Sequence, residues 1–387
     1  MKENKFNNLD IIIYLVIILF MIVSCTFIYS AQKYLPYDDN FALKQAIWFL
    51  FGMIISAIVY FFDFEQIKKL SLYLYIFGNL ILALLIISPE TIAPNIKGIK
   101  AWFLIPGFGS IQPSEFMKIF LILYLARVIS NHNVKYPIRF LKLDFFLLFK
   151  IVGITLIPLI LVAVQPDLGT GMVMVSIMVG MILISGINMR IILSVFITVI
   201  ISLGLFALAF LYRPNLLLYV MDRYQIDRIN SWLDPFADTL GTSYQLSLSI
   251  TSIGSGMLTG KGYGNGVVAV PEAHSDFIFT TISEEFGFIG SAGIIFMYYI
   301  IIYRIFRIAY KNKGEYETLI AAGVISMILF HVFENIGMVI GLVPITGIPL
   351  PLFSYGGSSV LATIFALSIV INISLNTKDY MFGGDDD

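Results

Sequence analysis

The sequence predicts an all-α polytopic membrane protein: about ten transmembrane helices, with a large extracytoplasmic loop between helices 7 and 8. Three observations carry this fold class. Of 387 residues, 58% are apolar and 13% charged, where a soluble domain carries roughly a quarter charged; mean hydropathy is +0.89. The apolar residues collect in runs close to the ~20 that cross a bilayer, as in Ile11 to Ser30, Ile47 to Phe62 and Met189 to Leu211. Lys, Arg, Pro and Gly interrupt these runs, and those residues end helices and mark membrane borders.

In chain order the helices are expected at 11–31, 45–62, 70–88, 114–130, 145–164, 169–186, 189–212, 277–303, 317–341 and 357–375. The first follows Lys2 and Lys5, which hold its start in the cytoplasm. Ile22-Val-Ser-Cys25 imitates a lipoprotein cleavage box, but the apolar run before it is long and many further spans follow. Cys25 is the single cysteine, so neither an intrachain disulfide nor a cysteine zinc site is expected. Ten spans put both termini on one side. Most of the 24 Lys and Arg fall on the side that holds the N-terminus, so both termini are expected in the cytoplasm.

The inner loops are then short and basic, and the chemistry belongs outside. Three outer pieces are informative: 89–113, the long stretch 213–276 and the Pro/Gly-rich 341–356. A connection as long as 213–276 is seldom passive, and Ser247-Leu-Ser-Ile-Thr-Ser-Ile253 suits an ordered, membrane-lying element. Residues 1–376 are expected to form a single membrane domain. Residues 377–387 make a short cytoplasmic tail whose Gly383-Gly-Asp-Asp-Asp387 end reads as an appended scar. The net charge of -1, without a basic stripe, argues against nucleic acid.

Polar groups at membrane depth are costly and point to function or to internal pairing. Glu115 and Lys118, three apart at the start of the fourth helix, share a face. They suit a structural ion pair and a site component equally. If the eighth helix starts near Ser275, then Asp276, Thr280, Ser283 and Glu284 form one stripe with Asp276 at the mouth. There a carboxylate can serve as a general base, or simply meet the helix dipole. His331, Glu334 and Asn335 make one face of the ninth helix polar, as a proton relay or as helix glue; no His-Glu-x-x-His spacing suggests zinc, and no metal ligands are assigned. Asp167 in Gln165-Pro-Asp-Leu-Gly-Thr-Gly171 caps the sixth helix. The segment 341–359 has the composition of a re-entrant loop, which survives in a membrane only against protein or a wet cavity. Arg213, Arg223, Arg228 and Lys261 are candidates for an anionic group such as a pyrophosphate, or an ordinary solvated surface. His274 has no assigned role.

Six stretches together resemble the SEDS family (shape, elongation, division, sporulation): Gly98-Ile-Lys-Ala-Trp-Phe103; Ile111-Gln-Pro-Ser-Glu-Phe-Met-Lys118; Gln165 to Gly171; Val270-Pro-Glu-x-x-x-Asp-Phe-Ile-Phe279; Glu284-Glu-Phe-Gly-Phe-Ile-Gly290; and Pro344-Ile-Thr-Gly-Ile-Pro-Leu350 with Ser354-Tyr-Gly-Gly-Ser-Ser359. Their wording lies nearest the rod-elongation branch. The resemblance implies a ten-helix peptidoglycan glycosyltransferase that polymerises lipid II on the outer face of the bacterial cytoplasmic membrane. By motif, Asp276 matches the family's essential acid, Trp102 its outer-loop tryptophan, and Glu115 with Lys118 its fourth-helix pair. Asp276 is then the base. Lys118, Arg213, Arg223, Arg228 and Lys261 are the cations for pyrophosphate, with or without a divalent cation (Mg or Mn), and Glu284 and Ser358 are supporting residues. The implied partners are a class B penicillin-binding protein (a transpeptidase) and other membrane proteins of the elongation machinery. A lipid II flippase and a non-catalytic scaffold that activates its partner are the rival readings. No inverted repeat is evident and the polar groups gather on one side, both of which tell against transport.

Overall fold

The computed structural model describes residues 10–34, 39–96, 98–105, 109–138, 140–212, 223–312 and 314–376. In chain order the helices are α1 Ile11–Ala31, α2 Phe41–Val59, α3 Phe64–Ile87, α4 Pro113–Lys135, α5 Leu141–Val164, α6 Leu168–Ile184, α7 Met189–Tyr212, α8 Arg223–Leu233, α9 Tyr244–Ser255, α10 Ile278–Lys311, α11 Glu315–Val339 and α12 Gly357–Asn376. Among the described residues, eight of these are long and apolar enough to cross a membrane: α1, α2, α3, α5, α7, α10, α11 and α12. The other two expected spans are present as α4, whose apolar run is interrupted by Glu115, Lys118 and Arg127, and α6, which has 17 residues. The fold is that of a polytopic membrane protein.

Local sequence sets the helix starts. Asp10, Asn40 and Asp167 each accept a backbone N–H of the first turn of α1, α2 and α6, and Asp63 with Gln66 forms a capping box on α3. Each cap satisfies a donor that the helix leaves open. Most departures from the expected bounds are extensions into charged flanks. Helix α3 begins at Phe64 rather than 70, and α10 runs on through Arg304 and Arg307 to Lys311. A hydropathy run marks where lipid ends, and the helix continues into the headgroups.

The bundle is layered around α12, of whose spanning window 83% is buried. It packs on α2, α4, α10 and α11; α11 in turn packs on α4, α6 and α10, and α3 on α4. At the other extreme stands α7, with only 6% of its window buried. At the end where α1, α10 and α11 meet charged linkers, Arg304 makes a forked pair with Asp10, 2.6 Å and 3.0 Å to Oδ2. This clamps the start of α1 to the end of α10.

Helix α10 is broken. Gly287 has φ 62 and ψ -156, a region open to glycine at little cost. The break frees backbone groups that hydrocarbon cannot satisfy, and the chain at 257–262 satisfies them. Lys261 N donates to the Glu284 carbonyl at 3.0 Å and Gly262 N to that of Glu285 at 2.9 Å, while Phe288 N and Ile289 N donate to the Met257 and Leu258 carbonyls at 3.0 and 3.2 Å. Backbone lies on backbone here: a Cβ on Gly260, itself at φ +78, would collide with the Glu285 carbonyl.

Candidate active site

The site is at the end of the bundle where α3–α4, α5–α6, α7–α10 and α11–α12 connect. The first connection folds as a hairpin, β1 Phe103–Ile105 with β2 Gly109–Ile111, pairing Phe103 with Ile111. Trp102, half-buried, directly precedes β1. Gln112 directly follows β2; its N–H donates to Ser358 Oγ at 2.9 Å and its side-chain amide to Asp167 Oδ2 at 2.9 Å. Ser358 thus joins the starts of α4 and α12. Asp167, as expected, caps α6 through Thr170 N at 3.1 Å.

The segment 341–356 is non-helical and is held on all sides, as a loop at membrane depth must be. The wholly buried Gln45 of α2 donates to the Ser354 carbonyl at 3.0 Å and accepts from Gly356 N at 3.3 Å. Ser24 donates to the Phe353 carbonyl at 2.8 Å, and the Tyr298 hydroxyl to that of Pro351. Arg228 Nη1 donates to the Ile345 carbonyl at 2.7 Å, and the indole of Trp232 to that of Gly341 at 3.0 Å, so α8 lies on this segment. Sequence patterning did not select Gln45, Ser24 or Trp232. The available signal for the first was a glutamine at the very start of the expected second helix.

Asp276 sits against this segment. Helix α10 begins at Ile278 with Phe277 as its cap, one residue from the expected 277, so the condition of a start near Ser275, on which the stripe through Asp276 rested, is not met. Asp276 therefore lies in the turn before the helix, outside its first turn, and is half-buried. Ser354 Oγ donates to the Ser275 carbonyl at 2.7 Å, and Asn335 Nδ2 donates to the carbonyls of Asp276 at 2.7 Å and Ile348 at 2.8 Å. A Cβ on Gly347, at φ +78, would come within 3.3 Å of Asp276 Oδ2. Glycine there lets the backbone of 341–356 approach the carboxylate closely. His274 packs its ring on Phe41 at 4.8 Å and accepts, through its carbonyl, from Tyr355 N at 2.9 Å. Its place is in holding this turn.

Below this mouth, α4 meets α11. Lys118 Nζ lies 2.9 Å from Glu115 Oε1 and 2.9 Å from His331 Nε2, and the three residues are 2%, 4% and 3% exposed. His331 and Asn335 are four apart on α11, hence about one turn or ~6 Å along its axis. One helix thus touches both the Asp276 turn and the Lys118 ammonium.

The remaining predicted residues separate from this pair. Glu284 Oε1 receives Lys261 Nζ at 2.6 Å and the N–H of Val267 and Val268 at 2.8 and 3.2 Å, and Oε2 receives Ser252 at 3.1 Å. Glu284 and Lys261 are brought together as a clasp on 261–268. The expected stripe from Asp276 to Glu284 thus becomes a mouth residue and a buried clasp. Arg213 lies outside the described residues, and Arg223 starts α8. An apolar groove of about 510 Å³ runs between α5, α6 and α11, lined by Leu159, Met172, Val175 and Phe330 among others, with Asp167 also on its wall.

Residues 7–379 match the family described as cell cycle protein, FtsW/RodA/SpoVE. The chain is 34% identical over 378 residues to the stage V sporulation protein E of Bacillus subtilis, covering 96% of this chain and 98% of that one. It is 32% identical to a probable peptidoglycan glycosyltransferase FtsW of Trichlorobacter lovleyi, covering 97% and 96%. Among solved structures it resembles a chain from work on the structural coordination of polymerization and crosslinking by a peptidoglycan synthase complex, with TM-score 0.76, 26% identity, and 96% and 99% coverage. It also resembles the rod shape determining protein RodA of Thermus thermophilus, with TM-score 0.67, 26% identity, and 95% and 97% coverage. The matches include a sporulation protein, FtsW proteins and a rod shape determining protein, and they agree with the resemblance carried by the six motifs. The chain belongs to the FtsW/RodA/SpoVE family of cell cycle proteins, the SEDS family.

Proposed function

We propose that this protein polymerises lipid II into glycan strands on the outer face of the bacterial cytoplasmic membrane, in the service of cell elongation, with Asp276 as general base. The chain is a peptidoglycan glycosyltransferase of the family just described; the substrate, the branch and the residue roles are our reading. One arrangement supports it above all. The half-buried Asp276 stands on a braced turn beside a glycine, its backbone carbonyl held by Asn335, and one turn earlier on the same helix His331 holds the buried ammonium of Lys118.

Chain extension joins a sugar hydroxyl to an anomeric carbon that carries a polyprenyl pyrophosphate. The Asp276 carboxylate takes the hydroxyl proton as the oxygen bonds to that carbon. The bond to the pyrophosphate oxygen breaks, and the leaving group departs with the electron pair. Lys118 offsets the charge that develops there. The Gln112–Ser358 junction adjoins the 341–356 segment, Trp102 is assigned to the substrate on its motif alone, and the apolar groove suits a polyprenyl tail. Among the described residues no three His, Cys, Asp or Glu side chains converge as metal donors, so no step here is assigned to Mg or Mn. Both termini are read as cytoplasmic, residues 1–376 as one membrane domain, and a class B penicillin-binding protein as the partner, alongside other elongation-machinery membrane proteins.

The test is purified protein with lipid II, resolved on a gel for glycan strands. Wild type makes polymer, and Asp276→Asn loses ~100- to 10,000-fold in rate. Scrambling of lipid II in vesicles with no polymer, even with the partner added, would overturn the reading in favour of a flippase.

A further inference from the structure

The buried ammonium of Lys118 is held by two acceptors, and only one of them is a carboxylate. The other is His331 Nε2 at 2.9 Å, while His331 Nδ1 lies 2.7 Å from the Met327 carbonyl one turn earlier on the same helix. A carbonyl only accepts, so Nδ1 carries the ring proton. An ammonium only donates, so Nε2 offers its lone pair. The hydrogen-bond partners thereby fix the neutral tautomer in the one orientation that can receive a cation. Helix α11 delivers this acceptor from a position 213 residues away in sequence.

We propose that His331 is a positioning residue for glycosyl transfer: with Glu115 it occupies two of the three N–H groups of Lys118 and fixes the direction of the third toward the departing pyrophosphate. This rests on the reading of Lys118 given above. The argument is geometric. A lysine side chain is flexible, and a single carboxylate three residues away on its own helix leaves the ammonium free to swing about that contact. A second acceptor on a different helix removes that freedom. Because Asn335 on the same face of α11 grips the Asp276 carbonyl, the base and the cation are referenced to one rigid element. Such positioning raises the rate of the chemical step without adding to ground-state affinity.

The test pairs His331→Met with His331→Gln, side chains of nearly equal length that differ in carrying an acceptor. Wild-type polymerisation is measured first; if the wild type makes no polymer from lipid II, the proposed function fails, not this inference. Given an active wild type, His331→Met is expected to lower kcat by about tenfold to a hundredfold, the cost of an unmet hydrogen bond to a buried charge, with KM changed less than about twofold. His331→Gln is expected to recover most of that loss. Wild-type kcat in His331→Met, or equal loss in both variants with unfolding midpoints unchanged, overturns the inference. Should His331→Met fail to fold, nitrogen-15 NMR of histidine-labelled wild type decides: an unprotonated Nε2 on His331 that shifts in Lys118→Met supports it, and a protonated Nε2 overturns it.

Discussion

Removing the charge on Glu115 and Lys118 separates a structural ion pair from a working one. Both are nearly sealed, the Lys118 side chain 2% and the Glu115 side chain 5% exposed, so Glu115→Gln or Lys118→Met alone leaves an uncompensated charge in the bundle. Removing one partner of such a pair costs about 3–5 kcal/mol. Glu115→Gln falls near the lower figure because its amide oxygen still accepts. The exposed pair Lys44–Asp39, at 46% and 54%, is the internal control, and Lys44→Met should cost about 0–1 kcal/mol. The double variant Glu115→Gln/Lys118→Met carries no charge and keeps the volume, so its stability should recover to within about 1–3 kcal/mol of wild type, the remainder being the His331 Nε2 that Lys118 no longer meets. If Lys118 meets the leaving group, that folded double variant makes no polymer. Unfolding midpoints in detergent give the first result and a glycan-strand gel the second. A stable double variant that polymerises at the wild-type rate refutes the role assigned to Lys118.

Three further predictions concern the frame around the site. Gly287→Ala should yield little folded protein, because φ 62 strains any side chain and its Cβ would meet Leu258 and Gly260 backbone atoms; detergent gel filtration reads this. Glu284→Gln should loosen 261–268 by replacing an ionic acceptor of Lys261, Val267 and Val268 with a neutral one, costing about 1–3 kcal/mol and raising protease cleavage there, while Glu284→Ala should cost more. In a Cys25→Ser background, a cysteine at Asp39 should react with an impermeant maleimide in intact cells and one at Glu317 should not; the reverse pattern would overturn the cytoplasmic assignment of the termini.

Much of this architecture was legible because a bilayer imposes a simple length rule. The bounds of α1 and α7 fall where the apolar runs begin and end, and Glu115 and Lys118 announced themselves as charges inside such a run. The misses have physical causes. The β1–β2 hairpin pairs two three-residue strands, too short to stand out against the membrane pattern. The break at Gly287 is hidden because its remedy comes from another segment, 257–262. His331 was visible as a polar residue on α11, but its partner on α4 is a tertiary fact, as is the pairing of Lys261 with Glu284. Local pattern shows which groups must be satisfied, and the packing of distant helices decides by whom.

The patched break in α10 bears on how the chain can be made. A helix with open carbonyls and amides cannot rest in hydrocarbon by itself, so the half of α10 beyond Gly287 depends on 257–262 from the moment it enters the membrane. That patch precedes α10 in the chain. During synthesis from the N-terminus it has therefore already emerged when the gap it must fill arrives. Moving the patch to a later point in the chain, as a circular permutation with its new ends between Gly262 and Ile278 would, leaves the contacts of the patch available in the finished fold. It should still impair insertion, because the repair would then arrive after the damage.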